Sequence, residues 1–293
     1  MRILIKYLSK ASSVRIDAAY FFETHSHWIG RTTLKNYVCY VAMYFKKNHV
    51  MCVFLTKFTF KIEKIEKMKA NTSATQASTT PIRALEILKE GNARFVNNLK
   101  VNRNLLQQAN ETRDGQWPVA VILSCIDSRT SAELIFDQGL GDIFSIRIAG
   151  NVVNTDIIGS LEFACKLAGS KLIVVLGHTH CGAIKGACDH VEMGNLTELL
   201  SKIQPAVYEE VQTVEVKKRN SKNADFVENV ADLNVKRSVK AILDRSNILA
   251  QMVEKGEIAI IGGKHHLDTG VVQFYEDTWM SKKVEVKAQI AAK

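Results

Sequence analysis

Two short motifs in the chain combine side chains that bind transition metals in proteins. A Cys-x-Asp-x-Arg motif contains Cys125, Asp127 and Arg129, and a His-x-x-Cys motif contains His178 and Cys181. Two thiolates, one imidazole and one carboxylate suit a tetrahedral zinc site, because soft thiolates disfavour magnesium and calcium. Each motif alone is unspecific. Together they predict a zinc site whose candidate ligands are Cys125, Asp127, His178 and Cys181.

The elements that carry these motifs must bring them to one place. Each motif follows a short apolar run, and three such runs (119–123, 143–148 and 171–176) alternate with helical patterns at 132–138 and 155–168. This alternation predicts a mainly parallel central sheet flanked by helices. Functional groups gather beyond the carboxyl ends of parallel strands, so both motifs are expected to face one crevice.

The predicted folded domain covers residues 80–293. Thr79 or Thr80 can cap its first helix, with Pro81 in the first turn. A long charged helical stretch at 227–255 leads into a further strand at 258–261. A turn at 262–270 is expected before 271–275, which is predicted to pair as an antiparallel edge strand. The fold class is therefore α/β, with an antiparallel edge strand near the C-terminus.

Residues 1–79 are interpreted as an N-terminal extension. Residues 1–67 contain 12 lysines and arginines against 4 aspartates and glutamates, and their apolar stretch is interrupted by Lys46, Lys47 and Lys57. It falls short of the uncharged run of about 18 residues that a membrane helix needs. The extension is predicted to be disordered, a targeting peptide, or a stretch upstream of a true start at Met68. A peripheral anchor is the further alternative.

The formal net charge of +9 lies almost wholly in that extension. Residues 68–293 contain 27 lysines and arginines against 26 aspartates and glutamates, so the domain is nearly neutral. Neither a nucleic-acid partner nor a membrane partner is expected. No convincing secretory signal is recognised at the start. We expect a cytoplasmic location, or an organelle if residues 1–67 are a transit peptide.

The motifs and their surroundings resemble the β-carbonic anhydrase family. The resemblance rests on CIDSRTSAELIFDQGLGDIFSIRIAGNVVN and GSLEFACKLAGSKLIVVLGHTHCGAIKGA, and it extends from about residue 81 to about residue 275. It implies a zinc enzyme that reversibly hydrates carbon dioxide to bicarbonate and a proton. One Zn²⁺ per subunit would be held by Cys125, His178 and Cys181.

The same resemblance implies that Asp127 and Arg129 form a dyad that orients a zinc-bound hydroxide. Arg129 is suited to hold the Asp127 carboxylate in a bidentate pair and to keep it ionised. Within the family the aspartate also binds zinc directly and closes the site. Both states of Asp127, ligand and orienting group, therefore stay open.

Gln116, Phe144 and Phe163 are the substrate-pocket residues that the resemblance implies. The family often has a glutamine nine residues before the first cysteine, where its amide binds bicarbonate, and Phe144 corresponds to an aromatic wall residue. Phe163 stands where a tyrosine is common, which puts the role of that hydroxyl in doubt. These residues reach a neighbouring subunit's zinc in the family, so a homodimer or homotetramer is implied. Without the resemblance, Gln116 is a surface turn residue, and the phenylalanines could be core residues.

Other reactive side chains receive smaller assignments. His180 is a candidate proton shuttle or an exposed residue without a role. His265 and His266 are neighbours in a strand-like segment, where they would point to opposite faces, so they are not expected to form a metal pair. Cys165 and Cys188 have apolar neighbours and are predicted to lie in the core.

Two other functions fit parts of the pattern. A hydrolase acting on carbonyl sulfide or carbon disulfide could use the same ligands and dyad. A zinc-stabilised scaffold or a redox-sensing protein could use the thiolate ligands without catalysis. A closed structural site needs no arginine beside its carboxylate, so the Asp127–Arg129 pair favours catalysis.

Overall fold

A computed structural model of the chain describes residues 70–282 in full. Contacts divide the chain into two units, Met1–Lys67 and Met68–Lys293. In the first unit the backbone of four strands is described, which pair antiparallel in chain order. These strands, none of which the sequence pattern predicted, are Arg15–Phe21 (β1), His27–Leu34 (β2), Tyr37–Lys46 (β3) and His49–Phe54 (β4). Met68 lies outside the described residues, and the interpretation of residues 1–79 stays a prediction.

The second unit is built around a five-stranded sheet with the order β6-β5-β7-β8-β9. Its strands are Ala120–Ser124 (β5), Ile143–Arg147 (β6), Leu172–His178 (β7), Ala259–His265 (β8) and Val272–Met280 (β9). The pairs β5–β6, β5–β7 and β7–β8 are parallel, whereas β9 runs antiparallel to β8 at the edge. The predicted fold class is confirmed.

Helices cover both faces of this sheet. Strand β5 shows why: Val121 and Leu123 belong to one apolar cluster, while Ala120 and Ile122 belong to the cluster on the opposite face. A strand buried on both faces is apolar throughout, as in parallel sheets generally. The α-helices are Ser73–Ser78, Pro81–Val96, Leu105–Glu111, Ala132–Ile135, Thr155–Glu162, Gly182–Cys188, Gly194–Ser201, Gln204–Glu209, Ala224–Arg245 and Asn247–Glu254. None of these described helices has the length and apolarity that crossing a membrane requires.

The helix Pro81–Val96 begins as the sequence predicted. The Thr80 side chain accepts a hydrogen bond from the backbone N–H of Arg83, and Pro81 occupies the first turn. The predicted stretch at 227–255 is instead two helices. Ser246 ends the first and caps the second through the backbone N–H of Leu249.

The predicted turn at 262–270 is wrong in its first half, because β8 continues to His265. A side chain at Gly262 or at Gly177 would place its Cβ 2.7 Å from a methyl group of Val235. Val235 lies in the helix Ala224–Arg245, hereafter the long helix. These two glycines therefore let the long helix pack closely on the sheet. The chain turns only after His265, and Gly270 has a φ of 75° there.

Candidate metal centre

Cys125 follows the last residue of β5, in a loop that is tightly held. Its sulfur accepts a hydrogen bond from the backbone N–H of Gly150 at 3.4 Å. Arg147, the last residue of β6, donates to the carbonyl oxygens of Cys125 at 3.0 Å and of Asp127 at 2.6 Å. Sequence reasoning missed Arg147. Its position at the carboxyl end of β6, the strand next to β5, is the feature that could have identified it.

His178 is the last residue of β7, and Cys181 precedes the helix Gly182–Cys188. The imidazole is buried, and its Nδ1 lies 2.9 Å from the carbonyl oxygen of Thr179. A carbonyl oxygen can only accept, so Nδ1 carries the hydrogen and Nε2 has a free lone pair. Nε2 is buried without a hydrogen-bond partner among the described residues. This buried, unpaired acceptor is suited to a metal ion.

The structure brings Cys125, His178 and Cys181 together, as the parallel sheet predicts. All three are buried, and their ligand atoms lie within 4.8 Å of one another. The two sulfur atoms are 3.9 Å apart. A donor set of two sulfurs and one nitrogen fits zinc, which commonly takes such ligands in tetrahedral sites. The residues present therefore fit the ion that their types suggest.

The two thiols differ in acidity. The pKa of Cys125 is lowered, chiefly because the Cys181 thiol donates a hydrogen bond to the Cys125 sulfur. The same contact, together with burial, raises the pKa of Cys181. Cys125 is therefore the thiol of the pair that loses its proton first. Metal binding requires the second proton to leave as well, so zinc affinity rises with pH.

The Asp127 carboxylate lies beside this cluster but outside the three-residue group. Its Oδ2 is 4.0 Å from Nε2 of His178. Arg129 binds it in a bidentate pair, with Nε 2.9 Å from Oδ1 and Nη2 2.7 Å from Oδ2. These hydrogen bonds hold the pKa of Asp127 well below its usual range, although burial opposes them. The carboxylate is therefore ionised throughout the neutral range.

The predicted pocket residues lie apart from the metal-ligating group. Gln116 is exposed. The rings of Phe144 and Phe163 meet edge to face with centroids 6.3 Å apart, and both line a groove whose lining includes no member of the cluster. Phe163 is 53% exposed, so it is not a core residue in this chain. Their assignment to a substrate pocket stays a prediction.

The remaining histidines and cysteines have distinct environments. His265 is buried, and burial lowers its pKa to about 4; neither His265 nor His266 belongs to the metal-ligating group. Cys165 and Cys188 are buried in apolar clusters, as predicted, and burial raises the pKa of each to about 12. His180 has a φ of 57°, an uncommon value for a residue with a side chain.

Comparison with known proteins identifies similar sequences over most of the second unit. Residues 120–272 match a family model described as carbonic anhydrase. Carbonic anhydrase 2 of Mycobacterium tuberculosis is 35% identical over 205 residues, which cover 66% of this chain and 92% of that protein. A carbonic anhydrase of Mycolicibacterium smegmatis is 36% identical over 198 residues, or 67% of this chain and 94% of that protein.

Solved structures have the same fold. The β-carbonic anhydrase CafA of Aspergillus fumigatus superposes with a TM-score of 0.51 at 26% identity, covering 66% of this chain and 89% of that chain. One of two tetrameric β-carbonic anhydrases from Sordaria macrospora gives a TM-score of 0.50 at 24% identity. The match covers 57% of this chain and 85% of that chain.

Proposed function

Since this chain belongs to the β-carbonic anhydrase family, whose enzymes hydrate carbon dioxide, we propose that it does so with zinc held by Cys125, His178 and Cys181. The observation that carries the proposal is the buried group of two sulfurs and one imidazole nitrogen, with all ligand atoms within 4.8 Å of one another. An ionised carboxylate 4.0 Å from that nitrogen completes the arrangement.

Zinc, when bound, supplies the Lewis acidity that lowers the pKa of a coordinated water, as it does in the carbonic anhydrases with three histidine ligands. The protein's part is to hold the ligands in place. The hydrogen bond from Nδ1 of His178 to the carbonyl of Thr179 orients the ring and makes Nε2 a better donor to the metal. The hydrogen bond from Gly150 to the Cys125 sulfur and the clamp by Arg147 hold that thiolate.

Asp127 is proposed to orient the attacking water or hydroxide by accepting its hydrogen bond. The carboxylate cannot rotate freely, because both of its oxygens bind Arg129 and the backbone N–H of Arg129 adds a third hydrogen bond at 3.0 Å. Holding a reactant in the correct orientation lowers the barrier without new covalent chemistry. Direct binding of Asp127 to zinc, which would close the site, is the alternative state.

A homodimer or homotetramer is part of the proposal. Support comes from β6, which is an edge strand of the described five-stranded sheet, and from the groove beside it, whose mixed lining includes Phe144, Ile146 and Phe163. Large exposed apolar side chains of this kind are common at protein–protein interfaces. Gln116 and the two phenylalanines would then complete the substrate pocket of a neighbouring subunit.

Stopped-flow hydration of carbon dioxide with a pH indicator tests the proposed function. The full chain would be compared with zinc bound, after zinc removal, and after zinc is restored, at neutral and mildly alkaline pH. We expect rapid hydration that disappears with the metal and returns with it. A protein that holds one zinc per chain yet hydrates no carbon dioxide would contradict the proposal, and carbonyl sulfide would be the next substrate.

A further inference from the structure

A group of charged residues built around the buried Lys264 contacts the loop between His178 and Cys181. We propose that Glu228, held in place by Lys264, is a positioning residue for this loop, and therefore for two of the three zinc ligands. The proposal rests on the zinc centre described above. It concerns residues that neither metal motif contains.

The loop includes one residue with an unfavourable backbone conformation. His180, between the two ligands, has a φ of 57°. In this left-handed conformation the Cβ of a residue with a side chain lies too close to the following carbonyl oxygen, so it is less favourable than ordinary helical geometry. Such a conformation persists only where surrounding contacts hold it. The direction in which Cys181 leaves the loop depends on the backbone angles of His180.

Glu228 supplies a contact that holds this conformation. Its Oε1 accepts a hydrogen bond from the backbone N–H of His180 at 2.9 Å. Glu228 lies in the long helix, which packs against β7 and β8 through Val235. A rigid helix thus presents a charged acceptor to the strained residue, and hydrogen bonds to charged groups are the stronger ones.

Glu228 is itself held by a buried lysine. The Lys264 Nζ lies 3.3 Å from Oε2 of Glu228 and 2.6 Å from Oδ1 of Asp232, one turn further along the long helix. Tyr275 donates a hydrogen bond of 2.6 Å to the same Asp232 oxygen. The Lys264 side chain is 8% exposed, so its charge must be paired. The ion pair with Lys264 therefore restricts the position of the Glu228 carboxylate.

Strand β8 and the turn that follows it hold the other side of the loop. The backbone N–H of Thr179 donates to the carbonyl oxygen of His265 at 3.0 Å, and the Thr179 hydroxyl accepts from the N–H of Leu267 at 3.0 Å. Thr179 is thus fixed by one hydrogen bond from its backbone and one to its hydroxyl. The backbone N–H of His180 is bound by the Glu228 side chain, so substitution of Glu228 removes that contact.

Zinc retention in the full chain tests the proposal, by competition with a chromogenic chelator. Glu228→Ala is compared with Glu228→Gln, which keeps an acceptor for the His180 N–H. Asp244→Ala is the matched control, an exposed carboxylate of the same helix. We expect Glu228→Ala to weaken zinc affinity by about 10- to 100-fold, as loss of an outer-shell partner does. Glu228→Gln and the control should stay close to the unaltered protein.

A second substitution separates positioning from general stability. Glycine adopts positive φ without a steric penalty, so His180→Gly should restore most of the zinc affinity that Glu228→Ala loses. Charge-transfer absorption of the Co²⁺-substituted protein would report the recovered thiolate geometry. If Glu228→Ala keeps full zinc affinity, or if His180→Gly restores none, the positioning role is overturned. The positioning role is also overturned if Glu228→Ala and the double variant Glu228→Ala/His180→Gly both fail to fold. If the unaltered chain itself binds no zinc, the proposed zinc centre is overturned as well.

Discussion

Two aspartates only ten positions apart are each bound by arginine, yet their surroundings differ. Asp127 pairs with Arg129 at the carboxyl end of β5. Asp137 accepts hydrogen bonds from both Arg94 and Arg103. The side chains of Asp137 and Arg103 are 4% and 6% exposed, whereas those of Asp127 and Arg129 are 15% and 57% exposed.

The difference shows that burial, more than residue type, sets what a carboxylate does. Asp137 joins the helix Pro81–Val96, through Arg94, to the segment that contains Val101 and Arg103. Its oxygens are used by protein donors and none faces a site. Asp127 keeps one side open towards the metal-ligating group. The first arrangement joins parts of the fold, and the second places a carboxylate beside the metal-ligating group, as its proposed role requires.

Asp127→Asn is expected to have the largest effect on activity of the three aspartate substitutions. Asparagine retains the shape but loses the charge that Arg129 binds, so the reacting water is no longer oriented. We expect kcat/KM for carbon dioxide hydration to fall by about 100-fold, the cost of a misplaced reacting group. The urea midpoint should change much less than it does for Asp137→Asn, since Arg129 is 57% exposed and water screens its pair with Asp127. Stopped-flow hydration and urea unfolding check both parts. Unchanged hydration would remove Asp127 from the mechanism.

Asp137→Asn should give the opposite pattern. Removing one partner of a buried ion pair leaves the buried Arg103 without its counter-charge and costs about 3 kcal/mol of unfolding free energy. Hydration per folded, zinc-loaded molecule should equal that of the unaltered chain. Urea denaturation and stopped-flow hydration measure the two quantities. A loss of hydration without a loss of stability would show that the two pairs are not distinct in role.

The contribution of Asp137 to the free energy of unfolding should also depend on pH. Burial raises the pKa of Asp137, but the hydrogen bonds from Arg94 and Arg103 outweigh it, so the pKa lies below its usual value. The stabilisation is therefore complete above the pKa of an unfolded aspartate, about 3.9, and is lost as pH falls through the lower folded-state pKa. The stability difference between the unaltered chain and Asp137→Asn should shrink below about pH 4. Unfolding measured across acidic pH would show this, and a difference that grows on acidification would contradict it.

Asp114→Asn should give the smallest effect. Asp114 pairs with Arg113, and both side chains are almost fully exposed. Pairs of this kind are screened by water and salt. We expect no measurable change in hydration or in the urea midpoint, so this variant is a control for the other two aspartates. A clear loss of stability would show that exposure does not distinguish the aspartate–arginine pairs that stabilise the fold from those that do not.

Much of the second unit could be predicted from local patterns. The apolar runs at 119–123 and 171–176 became β5 and β7 with shifts of one or two residues, because strands buried on both faces need apolar residues at every position. Cys125, His178 and Cys181 were recognised because they stand at the ends of those runs. Gly262 was misread, since a glycine that admits a packed helix has the same local pattern as a glycine in a turn.

Contacts between distant residues could not be predicted in this way. The Glu228–His180 hydrogen bond joins residues 48 positions apart. It exists because the long helix lies close to β7 and β8, which Val235 and the two glycines beneath it permit. The hydrogen bonds from Arg147 to the Cys125 loop likewise depend on β6 lying next to β5.

The sequence by itself determined the family, the order of the main elements and the candidate metal-ligating residues, because each of these is encoded in short runs of neighbouring residues. Only the tertiary structure decided how deeply each of the two arginine-bound aspartates is buried, and which distant carboxylate contacts the backbone of His180. Burial and long-range distance result from the packing of whole elements, and no local pattern of residue types contains them.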